Sequence, residues 1–288
     1  MARLLFVHAH PDDETLVNGV AMAHYARRGH EVHLLTSTLG EEGEVIPADL
    51  SHLELLAGQP RPADIEDPLA EVRLDELICA TSTLKIASSQ VLPGNWRDSG
   101  MAGSPSSRHP RAFASAPVAT VGQAVAQVLQ RVQPDVVVTY DRQGGYGHPD
   151  HIQTQVATVA AVRSLSPGGR PRLFATLTPQ SWATSDRQWL RATVPVEGPV
   201  RALGDDEPYP PSVVPDSEVT HEVVDPDMVL VQSEALVCHR TQVSVHRGYY
   251  ALSNDIAARL SGREGFAEVN PETGELIPAP GPRQDLLA

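Results

Sequence analysis

Two short stretches hold the residues best suited to chemistry: His10-Pro11-Asp12-Asp13 and His148-Pro149-Asp150-His151. Imidazole nitrogens and carboxylate oxygens are donors that a divalent transition metal accepts. A His and a second donor three residues on lie on one side of a turn or first helical turn, so both can reach one ion. The proline after each His keeps that His extended and suits the first helical position, where no N–H is needed. Either stretch alone reads as a helix cap or a core histidine bond. Two of them, each between a strand and a helix, point instead to a metal site. Two histidines and one carboxylate leave coordination positions open, as catalytic sites do. A metal so held lowers the pKa of its water to roughly 7 and polarises a carbonyl. Spacing does not choose which of these side chains touch the ion.

These residues need elements to position them. Arg3 to His8 is an apolar run without alternation, as in a strand buried on both faces. Glu14 to Arg28 suits a helix ended by Gly29, and Glu31 to Thr38 a second strand. Ala57 to Pro68 predicts a surface loop, Leu69 to Leu84 a helix and Ile86 to Leu92 a third strand. Gly94 to Pro117 predicts a long loop, of a length that usually has a function. Val118 to Val132 is helical, Asp135 to Tyr140 a strand, and Pro149 to about Ser164 a helix. The alternation predicts an α/β fold: a Rossmann-like three-layer α/β/α core over residues 1–165 with a mostly parallel sheet. Residues 166–288 form a smaller, less regular C-terminal part that completes the substrate pocket. There, Glu197 to Glu218 reads as a loop, Asp227 to His239 as a helix, and Asn270 to Ala288 as a loose tail. Both motifs then fall beyond the carboxyl ends of strands, where open α/β sheets bind ligands. The Gly144-Gly145-Tyr146-Gly147 run lets backbone approach a ligand closely and presents Tyr146. No GxGxxG follows a strand, which disfavours a dinucleotide.

Composition narrows the classes further. The 288 residues carry a formal net charge of -14 and no Lys/Arg-rich cluster, so no nucleic-acid partner is expected. The apolar start of the chain is too short for a signal-peptide core or a membrane span, and no membrane association is expected. Cys79 and Cys238 show no metal-site or framework spacing and read as reduced core cysteines of a cytoplasmic protein.

Ala9-His10-Pro11-Asp12-Asp13-Glu14 resembles the AHPDDE signature of the LmbE-like (PIG-L type) deacetylases, and His148-Pro149-Asp150-His151 resembles their HPDH signature. Thr38 to Val45, Trp96 to Met101, Val138 to Asp141, Gly144 to His151, Thr241 to Val243 and Ala251 to Asn254 are similar to the mycothiol-pathway branch. Members of that branch remove acetyl from an N-acetylglucosaminyl-inositol, a small amino-sugar substrate.

The resemblance implies that His10, Asp13 and His151 bind one Zn²⁺, with Fe²⁺ as the alternative. It implies Asp12 as general base, and His148 as an acid or electrostatic partner of the tetrahedral intermediate. Tyr146 would help to polarise the acetyl carbonyl, and Asp150 would orient a neighbouring imidazole. Arg73, Asp98, Glu44 and Asn254 would contact substrate. Val17 stands where related deacetylases tend to have a small polar residue and mycothiol-conjugate amidases tend to have Lys. The other readings weighed are a mycothiol S-conjugate amidase or other glycan deacetylase, an iron oxygenase with a facial triad, and a non-catalytic sugar-binding module.

Overall fold

The computed structural model describes residues 1–54 and 67–288. The elements run β1 (Arg3–His8), α1 (Asp13–Arg27), β2 (Glu31–Thr36), α2 (Pro68–Leu84), β3 (Ser88–Val91), α3 (Val118–Val132) and β4 (Val136–Tyr140). There follow the single turn α4 (Gly144–Gly147), α5 (Pro149–Ser164), β5 (Arg172–Pro179), α6 (Gln180–Thr193), β6 (Val213–Val214) and β7 (His221–Val224). The chain closes with α7 (Val229–Cys238), β8 (Ser244–His246), β9 (Tyr249–Ala251), β10 (Ala257–Arg259) and β11 (Arg263–Glu268). Residues 57–66 of the expected surface loop lie outside the described residues, while Pro68 opens α2 at the position where a missing N–H is harmless.

The main sheet has the order β3-β2-β1-β4-β5-β11-β7, with β6 pairing with β5. β1 to β5 run parallel, and β11 pairs antiparallel with both β5 and β7. This is an α/β fold with a mostly parallel sheet and helices on both faces. β1 shows why its sequence lacks alternation. Leu4 and Phe6 pack on one face with α1, α2 and α7, while Leu5 and Val7 pack on the other with α3 and α5. The chain after residue 165 continues the same sheet through β5, β7 and β11, and adds a small β10-β9-β8 sheet. No described helix is long and apolar enough to cross a membrane.

Two expectations are corrected here. Cys79 of α2 and Cys238 of α7 form a disulfide, with Cα atoms 5.7 Å apart. They are neither reduced nor core residues. Nothing in the sequence signals this pair, because the packing of α2 on α7 creates it across 159 positions. The C-terminal end is also docked rather than loose. Leu286 is fully buried in the core beneath Tyr25, and Gln284 bridges to the edge strand β7.

Candidate metal centre and active site

The sheet order reverses direction between β1 and β4, and both motifs emerge there. Such a switch point leaves a crevice between loops that diverge to opposite faces. β1 ends at His8 and leads directly into His10-Pro11-Asp12-Asp13, while β4 ends at Tyr140 and leads through α4 into His148-Pro149-Asp150-His151.

The first motif closes on itself. Asp13 Oδ2 accepts the His10 N–H at 3.0 Å, and Glu14 Oε2 accepts the Asp12 N–H at 2.9 Å. The Asp12 carbonyl accepts from Thr15 and Leu16 and starts α1. Asp12 itself has φ 113°, a region that costs a non-glycine residue on the order of 1–3 kcal/mol. Arg73 holds it there. Its guanidinium donates to Asp12 Oδ2 at 3.1 Å, to the Gly40 carbonyl at 2.7 Å and to the Pro11 carbonyl. Behind Glu14, the fully buried His239 places Nε2 2.7 Å from Glu14 Oε1.

The second motif opens α5. His148 is the N-cap, and its Nδ1 accepts the Asp150 N–H at 3.1 Å. A neutral His148 therefore carries its proton on Nε2 and can act as a donor. His151 Nδ1 lies 3.1 Å from the Gly144 carbonyl, which fixes its proton on Nδ1 and leaves the Nε2 lone pair free. In the same way His10 Nε2 faces Asp150 Oδ2 at 3.4 Å and Asp98 Oδ1 at 3.5 Å, which leaves Nδ1 free.

Three lone-pair donors thus converge. His10 Nδ1, Asp13 Oδ2 and His151 Nε2 are separated by 3.5, 3.3 and 3.3 Å. Donors about 2.0–2.1 Å from a tetrahedral zinc ion stand about 3.3–3.4 Å apart. The residues present therefore fit the metal. A His148 nitrogen also lies within 4.8 Å of nitrogens of His10 and His151, and Asp98 and Asp150 flank His10 on its other side.

Electrostatics agree with a site that calls for positive charge. Burial works against the His10 imidazolium, yet Asp98, then Asp13 and Asp150, raise its pKa well above the ordinary value. Against burial, His151 and His10 hold the Asp13 carboxyl well below its usual range. Asp98 is lowered too, with burial opposed mainly by His10. Burial pushes Asp12 up to about 6, with Arg73 pulling against it. Burial and the charge of His10 push His148 down to about 3.

Loop 94–117 brings Asp98 and Ser99 into this cluster. Arg97 is buried and donates to both Asp67 oxygens, at 3.0 and 2.7 Å, and to Glu42. The Ser99 N–H donates to Asp150 Oδ2 at 2.9 Å. Asp98 accepts the N–H groups of Gly100 and Glu42.

Every site residue named from the sequence except Asp150 lines one cavity of about 850 Å³, and Asp150 stands behind His10. Tyr146 is 55% exposed at the mouth, its ring 5.0 Å from that of His151. It rides on Gly144, Gly145 and Gly147, all with positive φ. Glu44 and Asn254 are exposed on the cavity wall, and Asn254 Oδ1 also accepts the Ile256 N–H. Val17 lines the same wall.

Sequence reasoning missed Tyr140. Its hydroxyl donates to Asp13 Oδ2 at 2.8 Å and accepts the Ala9 N–H at 2.8 Å. Its ring stacks on His151 with centroids 4.2 Å apart. A polar aromatic ending a central strand was the available signal. Glu264 was missed as well. α1 breaks at Asn18, and Glu264 of β11 accepts the freed N–H groups of Val20 and Ala21 at 2.8 and 2.9 Å.

Residues 5–162 match the family described as PIG-L: GlcNAc-PI de-N-acetylase. A relative from Rhodococcus jostii (strain RHA1) is named 1D-myo-inositol 2-acetamido-2-deoxy-alpha-D-glucopyranoside deacetylase. It is 41% identical over 298 residues, covering 99% of this chain and 97% of its own. Among solved structures, N,N'-diacetylchitobiose deacetylase from Pyrococcus horikoshii is 18% identical with a TM-score of 0.51, over 83% of this chain and 70% of that one. The 4-carboxy-2-hydroxymuconate hydratase GalB from Pseudomonas putida KT2440 is 18% identical with a TM-score of 0.53, over 96% of this chain and all of that one. Deacetylase and hydratase share this fold, so the fold alone does not choose between their reactions. The match to the family and the near full-length relative do: the chain belongs to the PIG-L (LmbE-like) family of metal-dependent deacetylases.

Proposed function

We propose that this protein hydrolyses the acetamide of an N-acetylglucosaminyl-inositol, the substrate class named for its relative. One Zn²⁺ would be held by His10, Asp13 and His151, with Fe²⁺ as the alternative. The convergence of these three donor atoms at tetrahedral spacing carries this reading. A metal there supplies Lewis acidity toward the acetyl carbonyl and an acidified water.

The chain's own groups do the rest. Asp12, partly desolvated and fixed by Arg73, takes the proton from the attacking water as the C–O bond forms. The His148 Nε2–H and the Tyr146 hydroxyl donate to the carbonyl oxygen as it becomes anionic. His148 serves as a neutral donor, because its Nδ1 accepts the Asp150 N–H and leaves the proton on Nε2, and burial disfavours its charged form. The proton on Asp12 then passes to the amine as the C–N bond breaks, leaving acetate and a free glucosamine nitrogen. Asp150 orients His10. Asp98, Glu44 and Asn254 meet sugar hydroxyls, while Arg73 acts through Asp12. Residues 1–165 carry the metal-facing groups, and residues 166–288 complete the pocket.

The test is acetate release from the inositol-linked substrate with metal, with chelator, and after metal is restored. Asp12→Asn should retain metal and lose turnover by about 10²–10⁴-fold. Chelator-insensitive release, or full activity in Asp12→Asn, refutes the proposal.

A further inference from the structure

The catalytic groups reach the cavity from beyond β1 and β4. Its wall also includes residues of α6 and of the segment joining β10 to β11, and the chemistry above uses none of their charged groups. From β1, β11 is the third strand across, through β4 and β5. At ~4.8 Å per strand this is about 14 Å. A two-ring glycoside with its acetamide at the metal end can extend its second ring across that span.

The groups waiting there form a donor and acceptor set. Trp182 and Asp186 are four residues apart on α6 and both line the cavity, as do Arg259 and Arg263 from the β10–β11 segment. Asp186 Oδ1 accepts from Arg259 Nη1 at 3.0 Å and from Arg263 Nη2 at 2.7 Å. The same Arg263 nitrogen donates to Ser185 Oγ at 2.8 Å. Arg263 lies over the Trp182 ring at 4.8 Å and Arg259 over the Trp189 ring at 4.6 Å, so both guanidiniums are held in place.

Two guanidiniums therefore share a single carboxylate oxygen. Among the described residues, Asp186 Oδ2, Arg259 Nη2 and Arg263 Nη1 have no hydrogen-bond partner, and Arg263 Nε is buried without one. Pinning α6 to β11 requires only Arg263 and Asp186. Arg259 ties β10 to α6 through Asp186 and Trp189, yet neither pairing uses Asp186 Oδ2, Arg259 Nη2 or Arg263 Nη1. Planar N–H donors beside a carboxylate acceptor match vicinal hydroxyls, which accept and donate from adjacent carbons.

We infer that Asp186, Arg259 and Arg263 form the subsite for the distal ring of the substrate, a polyhydroxylated cyclitol or sugar ring. They set the preference for two-ring over one-ring glucosaminides. The inference rests on the deacetylase reading, and its test separates the two. Arg259→Gln keeps the Arg263–Asp186 pair that joins α6 to β11. It should lose about tenfold in kcat/KM on the inositol-linked substrate, through KM, and change little on N-acetylglucosamine. One lost hydrogen bond of about 1.4 kcal/mol gives that factor. Asp186→Asn should show the same split. Parallel losses on both substrates, or no loss on either, overturn the subsite.

Saturation-transfer NMR with myo-inositol as the probe reads the site without turnover. The parent chain should give a signal that Arg259→Gln loses. A parent that shows this signal but releases no acetate from either substrate keeps the subsite and removes the deacetylase reading. No myo-inositol signal from the parent overturns the subsite.

Discussion

Replacing Tyr140 by Phe tests whether the strand end, and not only the motif, builds the metal centre. The substitution keeps the ring stacked on His151 and removes one oxygen. That oxygen donates to Asp13 Oδ2 at 2.8 Å and accepts the Ala9 N–H at 2.8 Å. A hydrogen bond to a charged group contributes about 1.5–3 kcal/mol. Loss of an outer-shell partner typically weakens metal binding by about 10–100-fold, or about 1.4–2.8 kcal/mol, in the same range. The orphaned Ala9 N–H adds a cost of about 1–3 kcal/mol to the fold itself. Competition with a chelating indicator should show zinc affinity down by one to two orders of magnitude. Differential scanning fluorimetry should show a lower Tm. At saturating zinc, KM for the inositol-linked substrate should stay near that of the parent. An unchanged zinc affinity would refute the idea that Tyr140 orients Asp13, whatever happens to Tm.

Arg73→Gln removes the cation that holds Asp12 ionised against burial. The acid limb of the kcat/KM profile should move to higher pH, because a base with a raised pKa is lost earlier on acidification; an unmoved limb excludes Asp12 as that base. Burial raises Glu264 to about 8 from an ordinary value of 4.5. Its folded form favours the proton, so this contribution is complete below about 4.5 and is lost as pH rises to about 8. The Tm advantage of the parent over Glu264→Gln should therefore shrink across that window, and a pH-independent difference contradicts the assignment. Reducing the Cys79–Cys238 bond, which spans 159 positions, should cost about 5 kcal/mol by chain-entropy reasoning. Parallel denaturant melts with and without reductant check this, and coincident melts count against it.

Local patterns determined much of this protein. The run from Arg3 to His8 announces a strand buried on both faces, because a parallel strand between two helical layers has no polar side to alternate. Proline after His10 and His148 announces strand-to-helix junctions, because it excludes the helical conformation before it and fits the first turn after it. The helices Val118–Val132 and Pro149–Ser164 appear where the sequence places them. The residues gathered in the cavity are largely those that the two motifs and the family resemblance single out.

Only the tertiary structure decided how these pieces address one another. Tyr140 becomes a partner of Asp13 because β4 lies beside β1, a neighbour distant in sequence. Arg73 reaches Asp12 rather than open solvent because α2 packs beside α1. Glu264 is needed because α1 breaks at Asn18 and exposes two amides to a strand that arrives near the end of the chain. The disulfide and the Asp186–Arg259–Arg263 cluster have the same origin. Propensity and periodicity act over a few residues, so they specify elements and their faces. Contacts between elements depend on sheet order and helix packing, which no local pattern encodes.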